Sequence, residues 1–334
     1  MTTLSVLSDT DRINLLASTV IATGDIEWDD AIWLSTVSDP YLMDLFAAAN
    51  RIRYHFVGNT AHVCSIVNAK SGRCSEDCGF CAQSSHFRTS VETFELIAVD
   101  EMVAAAEAAA REGSKKFGIV ISGREINPGP ELDAICRAIE KIRDSGGIIP
   151  DASLGIVKDP EVFSQLKAAG LRHYHHNLET ARSHHGQIVS THSYDDEYDT
   201  VRLAGEMGLE MCSGGIFGMG ESWSQRVEMA FDLKTLNVSS VPLNFLVPVK
   251  GTRLEDAAEL SALDVLKICA LYRFVLPRQN IALCGGREHH LGDWQGMMLL
   301  TGANGFMLGN YLTTTGRSVE DDLRLLEMLG WEIC

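Results

Sequence analysis

Short apolar segments alternate with longer amphipathic segments along most of this chain. The apolar segments are rich in Val, Ile, Leu and Phe, and they span residues 62–67, 116–121, 148–154, 171–177, 209–216, 240–247, 280–284 and 304–308. Apolar runs of this length predict buried strands, whereas residues 100–112, with apolar positions at helical spacing, predict a helix. Glycines that follow such helices are suited to end them, as at Gly113, Gly170 and Gly208.

The alternation predicts an α/β fold. Eight strands that alternate with helices over about 250 residues favour a parallel (β/α)8 TIM-type barrel. An open doubly wound sheet is the alternative, because the pattern does not show whether the sheet closes. Residues 1–50 have helical periodicity, and Asp39-Pro40 is a typical helix start. We therefore predict an N-terminal helical extension over 1–50 and a barrel domain over 51–334.

Composition and charge narrow the functional classes. The 334 residues are 46% hydrophobic and carry a net charge of −17, which argues against nucleic acid or an anionic membrane as a partner. The segment from Met1 to Asp11 lacks a basic n-region, so we predict no signal peptide. No apolar run reaches the ~18 residues of a membrane span. Nine cysteines is an odd number that suits a reducing compartment, and we expect a cytoplasmic protein.

Three of the cysteines form a compact motif just after the first predicted strand. Cys74, Cys78 and Cys81 have the spacing C-x3-C-x2-C, with Phe80 before the last thiol. Three thiolates at this spacing can hold one iron–sulfur cube and leave one iron for another ligand. Structural zinc would require four ligands, and only one cysteine knuckle is present. In a barrel the motif would lie at the C-terminal ends of the strands, where active sites are built.

The motif and its surroundings resemble a known family. A cysteine loop of this form after the first barrel strand is similar to the signature of radical S-adenosylmethionine (SAM) enzymes. The longer stretch from Asn68 to Ser84 resembles the biotin synthase family. The likeness extends over roughly residues 40–330 through Tyr174–Thr180, Cys212–Glu221, Val241–Thr252 and Gly285–Glu288.

The resemblance implies a reaction. Cys74, Cys78 and Cys81 would hold a [4Fe-4S] cluster whose open iron binds SAM, and electron transfer would then release a 5′-deoxyadenosyl radical. The radical would abstract hydrogen from dethiobiotin on the way to biotin. Flavodoxin or ferredoxin would be the electron donor, and the chain would form a homodimer.

The resemblance also implies cofactor and substrate contacts. Phe80 would lie near the adenine, Ser122-Gly123 would meet the methionine amino group, and Asn177 with Glu179 would hold the ribose. Gly214 and Gly215 would allow close approach to the cofactor, although strand-end glycines are otherwise ordinary turn residues. For the substrate, Asn177 and Asn244 would contact the ring of dethiobiotin, while Thr314 and Thr315 would meet its carboxylate tail. Asn244 has the alternative role of capping the sixth strand.

The chain departs from the family at the sulfur-donating centre. The resemblance implies three cysteines and an arginine around a two-iron cluster. Here Gly118, Asp151 and Ala282 occupy three of those positions, and only Cys212 remains. We therefore predict that this chain does not ligate a two-iron cluster of that kind.

Two other cysteines lie within predicted strands. Cys64 on the first strand and Cys284 on the seventh would share an interior layer with Cys212 on the fifth, and Asp151 on the third is the natural fourth member. Three thiolates there would suit an auxiliary four-iron cluster that carries the donated sulfide. These three cysteines are thus the predicted catalytic set. The alternative is that they pack as small apolar residues.

Other positions weaken parts of the resemblance. His175 replaces a family asparagine at the substrate, and Glu197 replaces the arginine expected to pair with the SAM carboxylate. Cys136, Cys269 and Cys334 are interpreted as bystanders.

Two functional hypotheses remain open. The first is sulfur insertion of the biotin synthase type, and the second is a related mutase or metallocofactor maturase without sulfur chemistry. A non-catalytic iron–sulfur carrier is a more distant third, because it would not need the SAM-contacting stretches.

Overall fold

The strands form a closed barrel, which is the favoured of the two predicted architectures. The computed structural model describes residues 7–334; the predicted absence of a signal peptide rests partly on residues 1–6, which lie outside the described residues. The strands are β1 Thr60–Lys70, β2 Lys116–Ile121, β3 Ile149–Ser153, β4 His173–His175, β5 Glu210–Cys212, β6 Gly215–Phe217, β7 Ser240–Phe245, β8 Asn280–Leu283, β9 Gly305–Met307 and β10 Glu332–Ile333. Parallel pairing of β9 with β1, at Val63 opposite Phe306, closes the sheet and excludes the open alternative.

The fifth barrel strand is interrupted. β5 and β6 together replace the single strand predicted over 209–216, and both pair with β7. The described helices are α1 Asp9–Thr23, α2 Trp28–Ser35, α3 Leu42–Val57, α4 Val99–Arg111, α5 Pro130–Ser145, α6 Pro160–Ala169, α7 Arg182–Ile188, α8 Tyr194–Glu206, α9 Trp223–Thr235, α10 Ala262–Val275, α11 Arg287–Leu291, α12 Gln295–Leu300 and α13 Val319–Leu329. Within residues 7–334, no helix combines the length and apolarity needed to cross a bilayer.

Helices α1 to α3 precede the barrel. Ser8, just before α1, accepts a hydrogen bond from the Asp11 backbone N–H and caps that helix. Helix α3 packs against both α1 and α10 and buries Leu45 and Ile52 completely. Since α3 continues past residue 50 and ends at Val57, the helical segment is longer than predicted. The division into two domains stays a prediction.

Strand alternation sorts residues between the barrel interior and the helical layer. On β1, His62, Cys64 and Ile66 line an internal cavity, while Ala61 and Val63 are almost fully buried and belong to the hydrophobic core. Successive strand residues point to opposite faces, so a two-residue period decides which side chains reach the interior. The same alternation places Gly118 and Asp151 inside, directly opposite each other on β2 and β3.

A buried ion pair joins the last helix to the barrel. Arg287 of α11 and Asp322 of α13 are both fully buried, and their side chains are 2.5 Å apart. We expect Asp322→Ala to lower the free energy of unfolding by about 3–5 kcal/mol, because it removes the nearest carboxylate from a buried guanidinium and leaves only Glu288, at 3.4 Å, to offset its charge. Urea unfolding under anaerobic conditions measures the change.

Glu320→Ala is the matched control for this change, because it removes an exposed carboxylate from the first turn of the same helix. Its effect should stay within about 0.5 kcal/mol. Equal loss of stability in the two variants would contradict the assignment of the buried pair as a major contributor.

Candidate functional site

A cavity of about 480 Å³ occupies the barrel interior and its C-terminal mouth. Both predicted sets of three thiols line it: Cys74, Cys78 and Cys81 from the loop after β1, and Cys64, Cys212 and Cys284 from the strands. The barrel therefore gathers these six cysteines around a single space, which Cys334 also lines. Such a space at the C-terminal ends of parallel strands is where this fold places its chemistry.

Backbone hydrogen bonds fold the cysteine loop back on itself. The Cys74 N–H donates to the Gln83 carbonyl at 3.0 Å, and the Ser85 N–H donates to the Cys74 carbonyl at 2.8 Å. Asp77 anchors the loop to the segment after α7, where it accepts from the backbone N–H groups of Ser190 (2.8 Å) and Thr191 (3.3 Å). Burial acts to raise the pKa of Asp77, but the hydrogen bonds from Ser190 and Thr191 outweigh it and hold the pKa at about 2.

The three loop thiols are free and partly buried. None of them forms a disulfide. Burial, together with the neighbouring thiols and Glu179, raises the pKa of Cys78 far above its usual range, and burial raises the pKa of Cys81 to about 11. Protons therefore stay on these sulfurs unless a metal centre displaces them. Three thiols without a fourth protein thiol fit an iron–sulfur cube with one open iron.

The three deeper thiols approach each other from separate strands. Cys64 lies on β1, Cys212 at the end of β5 and Cys284 just after β8. Burial raises the pKa of Cys212 well above its usual value, and the nearby Asp151, Cys64 and Cys284 add to the shift. In residues 7–334, neither thiol set brings three ligand atoms within 4.8 Å of one another. That spacing is wider than three thiolates on one shared metal ion would require.

Asp151 lies among the deeper thiols, as the layer argument predicts. It lines the cavity, and burial raises its pKa to about 6 even though the nearby Lys116 acts in the opposite direction. Lys116 also lines the cavity and contacts His173 Nδ1 at 3.1 Å. Gly118 and Ala282 face the same space without a ligating atom. These side chains therefore do not supply the three cysteines and the arginine that the sequence resemblance implies around a two-iron cluster.

Most of the predicted SAM contacts converge on the mouth of the cavity. Phe80, Ser122, Gly123, Asn177 and Glu179 all line it. The Ser122 hydroxyl donates to the Gly72 carbonyl at 2.8 Å, and the Asn177 amide accepts from the Gly214 N–H at 3.2 Å. The loops after β1, β2 and β4 thus bring these residues together.

Gly214 and Gly215 are not among the residues that line the cavity. A Cβ at Gly214 would lie 2.0 Å from the Pro242 carbonyl oxygen, and a Cβ at Gly215 would lie 2.6 Å from the Glu179 carbonyl oxygen. Close packing of the interrupted fifth strand against its neighbours therefore requires glycine at both positions. The predicted contact of these glycines with the cofactor stays a prediction.

Some of the predicted substrate residues line the cavity, and one does not. Asn244 lines the cavity, but its amide also donates to the Gly215 carbonyl at 3.2 Å and accepts from the Gly285 N–H at 3.0 Å. The alternative capping role is thus present alongside a cavity-facing position. Thr314 is exposed at the rim of the cavity, whereas Thr315 does not line it.

Glu179 provides a test of the electrostatics of the mouth. Burial, and then the charge of Glu197, raises the pKa of Glu179 to about 8 from the 4.5 expected of an unfolded chain. Between these two pKa values the folded protein keeps the Glu179 proton, whereas the unfolded chain releases it. The contribution of Glu179 to the free energy of unfolding is therefore fully present below pH 4.5 and is lost as the pH rises through 8. We expect cluster-free wild type to lose stability between pH 5 and 8 relative to Glu179→Gln, which lacks the titrating group.

Urea unfolding of both proteins across this pH range makes the comparison. Parallel pH profiles for wild type and Glu179→Gln would contradict the raised pKa.

A buried network beside the cysteine loop was not predicted from the sequence. His192 contacts Glu76 at 2.5 Å through Nδ1 and Glu197 at 2.7 Å through Nε2, and Glu197 also pairs with His176. Burial acts to lower the pKa of His192, but hydrogen bonds and charges from Glu197 and Glu76 raise it to about 9. Arg124 lies 3.9 Å from Glu76 at the cavity wall. The position of Glu76 between Cys74 and Cys78 was the available sequence signal.

Two family descriptions match this chain. "Radical SAM superfamily" matches residues 69–233, and "Biotin and Thiamin Synthesis associated domain" matches residues 242–332. Among curated proteins, biotin synthase of Citrifermentans bemidjiense is 51% identical over 318 residues, which cover 95% of this chain and 96% of the relative. Biotin synthase of Geotalea uraniireducens is 49% identical over 96% of this chain and 97% of the relative.

Solved structures show the same architecture at lower identity. Methylornithine synthase matches with a TM-score of 0.81 at 19% identity, and the match covers 96% of this chain and 97% of the methylornithine synthase chain. HydG, a maturase of the [FeFe]-hydrogenase, matches with a TM-score of 0.83 at 18% identity, and the match covers 98% of this chain and 76% of the HydG chain. At these identities the likeness concerns the fold alone.

Proposed function

This chain belongs to the biotin synthase family of the radical SAM superfamily, and we propose that it inserts sulfur into dethiobiotin to form biotin. The observation that carries the proposal is that two sets of three thiols open onto one cavity. One set suits radical generation, and the other suits a sulfur donor within reach of the same substrate. A mutase or maturase without sulfur chemistry would require only the first set.

The loop thiols Cys74, Cys78 and Cys81 would hold a [4Fe-4S] cluster. When bound, this cluster supplies the electron that cleaves SAM, and the protein supplies orientation and a shielded cavity. Flavodoxin or ferredoxin is the proposed source of that electron. The partly buried loop, pinned through Asp77 to the segment after α7, would keep the cluster at the cavity mouth.

Residues around the mouth would orient SAM. The backbone of Ser122 and Gly123 would meet its amino group, Asn177 and Glu179 would hold the ribose, and Phe80 would pack near the adenine. A protonated Glu179 can donate a hydrogen bond as well as accept one, which suits a ribose hydroxyl.

Dethiobiotin would lie between the mouth and the deeper thiols. Asn177 and Asn244 would contact its ring, with Asn244 held in place by its bonds to Gly215 and Gly285. Thr314 at the rim, with Thr315 beside it, would meet the carboxylate tail.

Cys64, Cys212 and Cys284 would hold an auxiliary iron–sulfur cluster that donates the sulfur. A four-iron form is favoured because three thiolates leave one iron without cysteine, where sulfide can bind. Asp151 lies among these thiols and is the candidate for a further ligand or a neighbouring acid. We also propose a homodimer located in the cytoplasm.

Isotope labelling tests the proposed function directly. The protein is reconstituted anaerobically with 34S-sulfide, separated from free sulfide and incubated with SAM, a reductant and dethiobiotin, and mass spectrometry then follows the products. We expect 5′-deoxyadenosine together with biotin that carries 34S. Deoxyadenosine without biotin would favour the mutase or maturase, and unlabelled biotin would contradict the protein-bound sulfur donor.

A further inference from the structure

A second kind of ligand cluster lies behind the cysteine loop. One ring nitrogen of His185, one of His192 and one carboxylate oxygen of Glu197 all lie within 4.8 Å of each other. His185 belongs to α7, Glu197 belongs to α8, and His192 lies on the segment that joins these helices. In the part of the chain that the structure describes, this is the one trio of His, Cys, Asp or Glu ligand atoms so close together.

The three side chains are withdrawn from solvent. His185 is 4% exposed, and the side chains of His192 and Glu197 are 4% and 8% exposed. Surface clusters of acids and histidines are ordinary solvated groups, but buried polar groups require partners. Each polar atom of this buried trio therefore needs a hydrogen-bond partner or a ligand.

His185 supplies an independent observation. Its Nε2 is buried without a hydrogen-bond partner among residues 7–334. The ring stands edge-on to that of His192, with centroids 5.5 Å apart, and Tyr194 packs on it at 5.7 Å. A buried, unpartnered imidazole nitrogen destabilises the folded state unless a ligand satisfies it. His185 thus brings to the trio a ring with a buried nitrogen that the described residues leave without a partner.

Outer contacts hold the other two ligands in place. Nδ1 of His192 contacts Glu76, and the second oxygen of Glu197 pairs with His176. Metal-binding histidines commonly use their second nitrogen to hydrogen-bond a carboxylate, which fixes the ring and makes it a better ligand. Glu76 and His176 stand where such supporting groups are needed.

We propose that His185, His192 and Glu197 form a binding site for a divalent transition-metal ion, with Zn2+ as the representative ion. The ion takes the place of the proton between His192 Nε2 and Glu197 Oε1, and that proton leaves to solvent. Two imidazoles and a carboxylate are a typical donor set for zinc and for ferrous iron. The site contains no thiol, and it is thus distinct from both iron–sulfur ligand sets.

The site has an entry path and a structural consequence. His192 and Glu197 line the barrel cavity, so an ion can reach them from that side. Glu76 belongs to the cysteine loop and contacts His192, so a bound ion would rigidify the loop through this histidine. This proposal does not depend on the substrate or on the source of sulfur.

Zinc retention tests the proposal. Anaerobically reconstituted protein is mixed with one equivalent of ZnCl2 and desalted, and zinc and iron are counted separately by mass spectrometry. We expect about one zinc per chain in wild type, and a dissociation constant raised at least about tenfold in His185→Gln. His289→Gln is the matched control, because His289 is an exposed histidine 3.0 Å from Glu259, and it should retain zinc like wild type.

X-ray absorption at the zinc edge separates this site from adventitious binding. Ligands at about 2.0–2.1 Å indicate nitrogen and oxygen, whereas a shell near 2.3 Å indicates cysteine sulfur. Glu197→Gln replaces His185→Gln if circular dichroism shows that the latter is misfolded. The proposal would be overturned if wild type failed to retain zinc, or if the folded ligand variant retained as much zinc as wild type. A shell of sulfur ligands around the zinc would also overturn it.

Discussion

Cys78→Ala is expected to eliminate SAM cleavage, reducing 5′-deoxyadenosine to the level of an enzyme-free control. Cys78 is one of the three thiols of the cysteine loop, and the two thiolates that remain are too few to hold an iron–sulfur cube. The reconstituted variant should lose about four irons per chain from this cluster. Iron and sulfide analysis and the deoxyadenosine assay measure the two effects.

Cys136→Ala is the control for this change. Cys136 is a partly buried cysteine of α5 that does not line the cavity. Its variant should keep the iron content and the cleavage rate of wild type. Undiminished deoxyadenosine from Cys78→Ala would contradict the assignment of the loop thiols.

Cys284→Ala is expected to separate radical formation from sulfur insertion. The loop cluster remains, so deoxyadenosine should still form, but biotin should fall to background because the auxiliary cluster is lost. Wild type should contain about eight irons per chain and the variant about four. Cys64→Ala should give the same result, since both thiols would hold the same cluster.

Cys269→Ala is the matched control, because Cys269 is buried in α10 at 0% exposure, compared with 2% for Cys284, and lies outside the cavity. Cys284→Ala and Cys269→Ala each remove one buried sulfur. Any loss of folding stability from that removal is therefore common to the two variants and does not explain a difference in their biotin yield. About four irons per chain in wild type, unaffected by Cys284→Ala, would show that the deeper cysteines are packing residues.

The sequence predicted the strands well because buried parallel strands are short and continuously apolar. Residues 116–121 form β2 as predicted, and the closure of the barrel is confirmed by the pairing of β1 with β9. The fifth strand was predicted as one segment. Its interruption between Cys212 and Gly215 depends on how Gly214 packs against Pro242, which is a contact between strands that no local pattern contains.

The roles of polar residues were harder to predict. Glu197 was noted only as an exception to the resemblance, yet it lies buried between His176 and His192. Its partners lie five and 21 residues away in the chain. Hydrophobic periodicity places helices and strands, but it does not encode which polar side chains meet after those elements pack.

The sequence alone determined the alternating architecture, the cysteine loop after the first strand and the family to which the chain belongs. These features depend on residue type and local spacing, which the chain itself displays. Only the tertiary structure decided that Cys64, Cys212 and Cys284 face the same cavity as Cys74, Cys78 and Cys81, and that His185 joins His192 and Glu197. Those arrangements depend on barrel closure and on the register between strands, which bring distant residues together.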